Sequence, residues 1–207
     1  MKRNFLLIVF LLFLSLFTFS AKINVRAQEV KGEESRYILK SDVLIQKGTL
    51  SITTEMATIT LVNDDWRNVD TTSAYIMDET FQATSLILQF DLQTEKGTLK
   101  GDVVASILLE DSIIDIICDE LLIDNNKKMY EGKSEDLVFI KKDDYVIHSK
   151  SFVYLEEENL LTLSQEVHIV NNVKKIDMNS TKALFNTKTN DIEAQNVNLI
   201  LEVSEEE

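Results

Sequence analysis

The sequence predicts an all-β fold, a stack of antiparallel hairpins folded over on itself with a repeat of roughly 31 residues. Three observations lead there. The first is self-similarity, which takes precedence over any single-element assignment. Leu92, Ile123, Tyr154 and Phe185 fall 31 residues apart, and two steps back give Leu61 and Val30. Leu99, Tyr130, Leu161 and Ile192 form a second column, preceded by Asn68 and Tyr37. Ile45, Ile76, Ile107, Val138, Ile169 and Ile200 form a third. Of these 18 positions 17 are apolar, where a 44% hydrophobic composition gives about eight. The second observation is alternation. Phe90 and Leu92, Leu121 and Ile123, and Phe152 and Tyr154 are each two apart, hence on one face of a strand. The third is the absence of proline from 207 residues, which suits hydrogen-bonded ladders that proline would interrupt.

Each unit reads as two strands. A short first strand, such as Ile87–Leu92 or Ile147–Tyr154, leads into a polar turn. The turns are Gln93-Thr94-Glu95-Lys96-Gly97, Asn125-Asn126-Lys127-Lys128, Glu156-Glu157-Glu158-Asn159 and Thr187-Lys188-Thr189-Asn190. A longer second strand follows, such as Leu160–Val170 or Asp191–Leu201. Ser112–Asn125 is apolar enough to suggest a helix, but its β-branched Ile113-Ile114 and Ile116-Ile117 pairs favour a strand. Polar residues interrupt the second strand midway, at Ser41, Thr72, Ser134, Gln165 and Asn196. The last copy is one residue shorter there, Ala194-Gln195-Asn196-Val197 against Leu163-Ser164-Gln165-Glu166-Val167, as a bulge or bend tolerates. A bend at one point in every copy folds the stack into two sheets with the apolar columns facing inward. Its unpaired edges are expected near Tyr37–Ile45 and Asp191–Val203, with no proline to guard either. Edge pairing with a second copy, head to tail, or with a partner of the same fold is the expected consequence.

The chain starts with a different signal. Lys2 and Arg3 precede an apolar run, Phe5 to Phe19, and the small-residue pattern Val25-Arg26-Ala27 follows. These mark residues 1–27 as a secretory signal peptide, or, if uncleaved, as an N-terminal anchor. Residues 28–203 read as a single β domain and 204–207 as an acidic tail. The whole chain carries 35 acidic against 21 basic side chains, net −14. Loss of residues 1–27, with four basic groups and no acidic one, leaves −18. Such a charge argues against nucleic acid as a partner.

Catalytic and metal motifs are sparse. The single cysteine, Cys118, excludes an internal disulfide framework. Its 31-residue counterpart is Ser149, so His148 lies close by, but with opposite strand parity; a Cys–His dyad is not expected and an inert buried thiol is. His168 is expected on the solvent face. There is no G-x-S-x-G, H-E-x-x-H or phosphate loop. Asp64-Asp65, Asp143-Asp144 and Glu156-Glu157-Glu158 lack calcium-loop spacing and read as solvated turns. Arginine occurs only at 3, 26, 36 and 67, too few for a polysaccharide-cleaving β-helix. No enzyme, cofactor or metal is expected.

The step Leu99-Lys100-Gly101-Asp102-Val103, with weaker versions at Leu39-Lys40-Ser41-Asp42-Val43, Leu163–Val167 and Ala194–Val197, resembles a known family. It is similar to the recurring element of the periplasmic lipopolysaccharide-transport proteins (LptA, LptC and the OstA-like N-terminal domain). The resemblance covers roughly Tyr37 to Val203. Asn68-Val69-Asp70 and the longer Gly132–Leu137 step depart from the pattern. The resemblance implies a β-taco, or open β-jelly roll, whose apolar interior holds the acyl chains of lipopolysaccharide or a related lipid. It implies same-fold transport proteins at the inner and outer membranes as partners. The residues it assigns to lipid are Phe90, Leu92, Leu99, Ile107, Leu121, Ile123, Tyr130, Val138, Phe152, Tyr154, Leu161, Ile169, Phe185, Ile192 and Ile200. On residue chemistry alone two alternatives stay open: a continuous lipid trough, or a filled core as in any sandwich, making a ligand-free structural solenoid. An anchored LptC-like receptor is the third reading.

Overall fold

The computed structural model describes residues 22–201. The apolar run Phe5–Phe19 and the acidic tail lie outside the described residues. Fourteen strands make one antiparallel sheet: β1 (Ile23–Arg26), β2 (Glu29–Glu33), β3 (Arg36–Lys47), β4 (Leu50–Val62), β5 (Asp65–Met77), β6 (Phe81–Asp91), β7 (Lys96–Leu108), β8 (Ile113–Asp124), β9 (Met129–Lys142), β10 (Tyr145–Leu155), β11 (Leu160–Asn171), β12 (Ile176–Asn186), β13 (Ile192–Gln195) and β14 (Asn198–Leu201). From β3 to β12 every strand pairs with its neighbours in sequence. At the start, β1 and β2 together cover the two halves of β3. At the end, β13 and β14 cover the two halves of β12.

The fold class is as the repeat predicts, and the bends lie where polar residues interrupt the second strands. Left-handed backbone occurs at Ser41-Asp42 in β3, Gly101-Asp102 in β7, Gln165-Glu166 in β11 and Asn196 between β13 and β14. Each coincides with a break in the ladder or between strands. In β5 the left-handed residue is Ser73 rather than Thr72. In β9 the longer step loops out instead: Lys133 pairs with Ser151 and Val138 with Ser149, leaving residues 134–137 unpaired in that ladder. Asx-type and hydroxyl residues tolerate these conformations better than most, because their short polar side chains can bond to nearby backbone. The Ser134 hydroxyl in the β9 step instead accepts from the Asp119 amide across the β8–β9 ladder at 3.0 Å. Glycine is favoured at 101, where φ is +74° and an added Cβ would come within 3.0 Å of Leu86.

The bends divide the sheet into two leaves. One carries Leu99, Leu121, Tyr130, Phe152 and Phe185 inward, the other Ile45, Ile76, Ile107, Val138 and Ile169. All of these are buried in a single apolar core. Aromatic pairs cross between the leaves, Phe81 on Tyr130 and Tyr145 on Phe185, each with centroids 5.1 Å apart. Opposite the bend line, the hairpin turns of the two leaves meet along a seam closed by polar contacts. Lys47 Nζ donates to the Leu92 carbonyl at 2.7 Å and to Glu95 at 2.6 Å. The Asn125 amide donates to Asp78 at 2.6 Å. Lys142, its side chain only 4% exposed, donates to Asn190 at 3.0 Å and to Asp143 at 2.5 Å.

Three expectations need correction. The first strands are not short: β6, β8, β10 and β12 run 11 or 12 residues and cross both leaves. Asp191–Leu201 is two strands, not one. The N-terminal edge is β1 and β2, not Tyr37–Ile45.

Asp91 at the end of β6 anchors the following turn. It accepts from Arg67 Nε at 2.6 Å and Nη2 at 2.5 Å, and from the Gln93 and Thr94 amides at 2.9 and 3.0 Å. Burial raises its pKa, but the guanidinium and the amides outweigh that and hold it at about 2. A carboxylate depressed in the folded state stabilises above its unfolded value of 3.8, and that stability is lost as pH falls through about 2. Urea unfolding between pH 6 and 2 is expected to show about 1–2 kcal/mol lost over this window, discounted for partial exposure. Asp91→Asn should remove that component of the slope; an unchanged slope would refute the assignment.

Candidate functional site: an apolar interior open at its N-terminal end

Most of the residues assigned to lipid come together. Phe90, Leu92, Leu99, Ile107, Leu121, Ile123, Tyr130, Val138, Phe152, Tyr154, Leu161, Ile169 and Phe185 all belong to the continuous buried core. Ile192 is half-buried and packs against it. Ile200 is elsewhere: it pairs with Asp177 and is 55% exposed. Ile169 faces Met178, and Met178 faces Leu199, so Leu199 holds the inner register. The residue missing at the last bend shifts that column by one, and a one-residue slip in a strand exchanges its faces.

The interior is filled through the middle of the stack. Tyr130, Tyr154, Phe152 and Phe185 are fully buried. The Tyr130 hydroxyl lies 3.3 Å from Glu156, and that of Tyr154 lies 3.3 Å from Thr187. Burial, then the Glu156 carboxylate, push the Tyr130 phenol well above its ordinary pKa, so it stays a neutral donor.

The N-terminal end differs. Here the inner faces of β1 to β4 meet the turn after β6 around a cleft of about 990 Å³. Its apolar wall includes Ile23, Val25, Val30, Tyr37, Leu39, Ile59, Trp66 and Leu92. Leu39, Ile59 and Leu92 also belong to the core, so the cleft runs directly into it. Trp66, the single tryptophan, packs on Tyr37 with centroids 4.6 Å apart. The first copies of the columns, Val30 and Tyr37, are exposed because they line this mouth rather than a closed layer. Lys22, Lys47, Asp64 and Asp65 stand around it, so both signs of charge meet an entering group despite the acidic whole. Sequence reasoning missed this wall at Ile23 and Val25, which sit inside the targeting pattern.

The other candidates separate. Cys118 is buried in the core, where burial pushes its thiol up to about 12. His148 points outward beside Phe139, on the opposite face, and no dyad forms between the two.

Taken together, these features define a class: a folded-over antiparallel sheet with an apolar interior, polar contacts along its seam and an open N-terminal mouth. No protein-family model and no curated protein matches the chain. Among solved structures, it is similar to LptH of Pseudomonas aeruginosa, described as the LptA-homologous periplasmic component of the lipopolysaccharide transport device. The identity is 10%, with 88% of this chain and 96% of that chain covered, and the TM-score is 0.27.

Proposed function

We propose that this chain is a lipid carrier of the periplasm, taking acyl chains of lipopolysaccharide or a related lipid on the way from the inner to the outer membrane. The observation that supports it is the apolar mouth, whose volume falls at the upper end of the about 300–1,000 Å³ of small-molecule sites. Burial there is worth about 25 cal/mol per Å² to an acyl chain. Recognition is through the chains, with headgroup phosphates kept at the mixed-charge rim, away from the acidic surface. The two broken edges fit same-fold neighbours on either side. β14 offers Leu199, Ile200 and Leu201 exposed, and β1 and β2 offer Val25 and Val30.

A second reading draws on Lys22, which lines the mouth and is separated from the apolar run Phe5–Phe19 by two residues. If that run stays in the membrane, the protein is an anchored receptor whose mouth lies against the lipid source. A third, the ligand-free solenoid, draws on the filled middle of the core.

Photocrosslinkers at Val30 and Trp66 are expected to capture lipopolysaccharide from a membrane extract, and one at the turn residue Glu157 is not. Emission from Trp66 in the unmodified protein should shift on titration with lipid A micelles. Equal capture at all three sites, or none with no spectral change, would overturn the carrier reading.

A further inference from the structure

The only two histidines of the chain are direct partners. His148 in β10 faces His168 in β11 in the antiparallel register, both on the outer face, with rings 6.2 Å apart and 20° from parallel. Nothing in the lipid reading uses this pair. We propose that His148 and His168 form a two-nitrogen site for a divalent transition-metal ion of the nickel–copper–zinc series.

The surroundings are those of a histidine ligand pair. His168 Nε2 lies 2.9 Å from Asp177 Oδ1, on β12. With the carboxylate accepting from Nε2–H, the tautomer is fixed and the lone pair sits on Nδ1. This carboxylate–histidine relay is what orients metal-binding imidazoles and raises their basicity. On its far side His148 is braced by Phe139, edge-on at 5.4 Å. The His168 and Asp177 side chains are 37% and 47% exposed, so an ion and its waters reach the pair.

Imidazole nitrogen suits zinc, copper and nickel, and does not suit magnesium or calcium. Among the described residues no three His, Cys, Asp or Glu side chains converge on one point. The chain therefore supplies two ligands, and water fills the remaining positions. The pair is also the last one before the β10–β11 ladder breaks at the bend, where the register resumes at Ser151 and Ser164. A bound ion would clip the two strands together beside that break, adding a cross-link where hydrogen bonds are interrupted.

The test uses the untagged chain. Titration with Ni²⁺ and Zn²⁺ is expected to show one saturable equivalent, with Mg²⁺ failing to compete at a hundredfold excess. Paramagnetic Ni²⁺ should broaden the ring-proton NMR signals of both histidines in parallel. His148→Gln and His168→Gln should each weaken binding at least tenfold. Asp177→Asn, which keeps both ligands, should weaken it about 10–100-fold. Circular dichroism of the metal-free variants shows whether each folds, and for one that does not, the NMR broadening of the native chain decides. Binding that survives both histidine changes, that Mg²⁺ displaces equally, or that broadens neither ring would overturn the site.

Discussion

Ile107→Asp is expected to destabilise the protein by about 3–5 kcal/mol, through lost burial and an unpaired carboxyl in the core. Ile107 is fully buried between Phe81 and Ile114, its cross-strand partners on β6 and β8. No basic group lies at those positions to pair with the new charge. The acid would be forced toward its neutral form, so the cost should shrink as pH falls toward 4. Leu108, one residue on, faces outward and is 53% exposed. Leu108→Asp should stay within about 0.5 kcal/mol of the parent. Urea unfolding of the two variants makes the comparison, and equal losses would contradict the two-faced strand.

Phe152→Ala should cost about 3–5 kcal/mol, because the ring fills space left for it by a glycine. Gly132 faces Phe152 across the β9–β10 ladder, and a Cβ there would come within 2.2 Å of Cε1. Gly97 and Phe90 repeat the device on β7 and β6, with 2.5 Å to the ring. A bulky ring over a cross-strand glycine fixes register and covers backbone that the glycine leaves bare. Gly132→Ala alone should therefore overpack the core by about 1–3 kcal/mol. Combined with Phe152→Leu it should cost less than the sum of the two single changes. Additive losses in thermal or urea unfolding would show that ring and glycine are independent.

The repeat made the architecture readable in advance because each unit solves the same packing problem with the same alternation. The β-branched Ile113-Ile114 and Ile116-Ile117 pairs favour a strand over a helix, and β8 runs through them. What failed did so where the period is broken or masked. Ile200 follows the 31-residue count but not the inner face, since counting residues cannot detect a slip at a bend. Ile23–Arg26 reads as the tail of a targeting segment, and its basic and small residues conceal a strand that pairs with Leu44–Lys47. Lys47 and Lys142 look like solvated turn residues. Only the meeting of two distant turns, Lys47 with Glu95 and Lys142 with Asn190, turns them into part-buried contacts. The full length of the first strands is hidden in the sequence because their other halves, such as Phe81–Leu86, place a polar residue, Ser85, on the buried face and an apolar one, Leu86, on the exposed face.

The unbroken correspondence between chain order and strand order from β3 to β12 bears on how such a molecule changes its reach. Each unit touches its two neighbours through the ladders, and no long crossover ties one end to the other. Duplicating one unit in the middle would add two strands, lengthening the stack by about 10 Å, while every other pairing kept its partner. Deleting one would shorten it by as much. The span of the protein is thus adjustable in steps by ordinary tandem gain or loss of coding sequence, without redesign of the mouth or of either terminal edge.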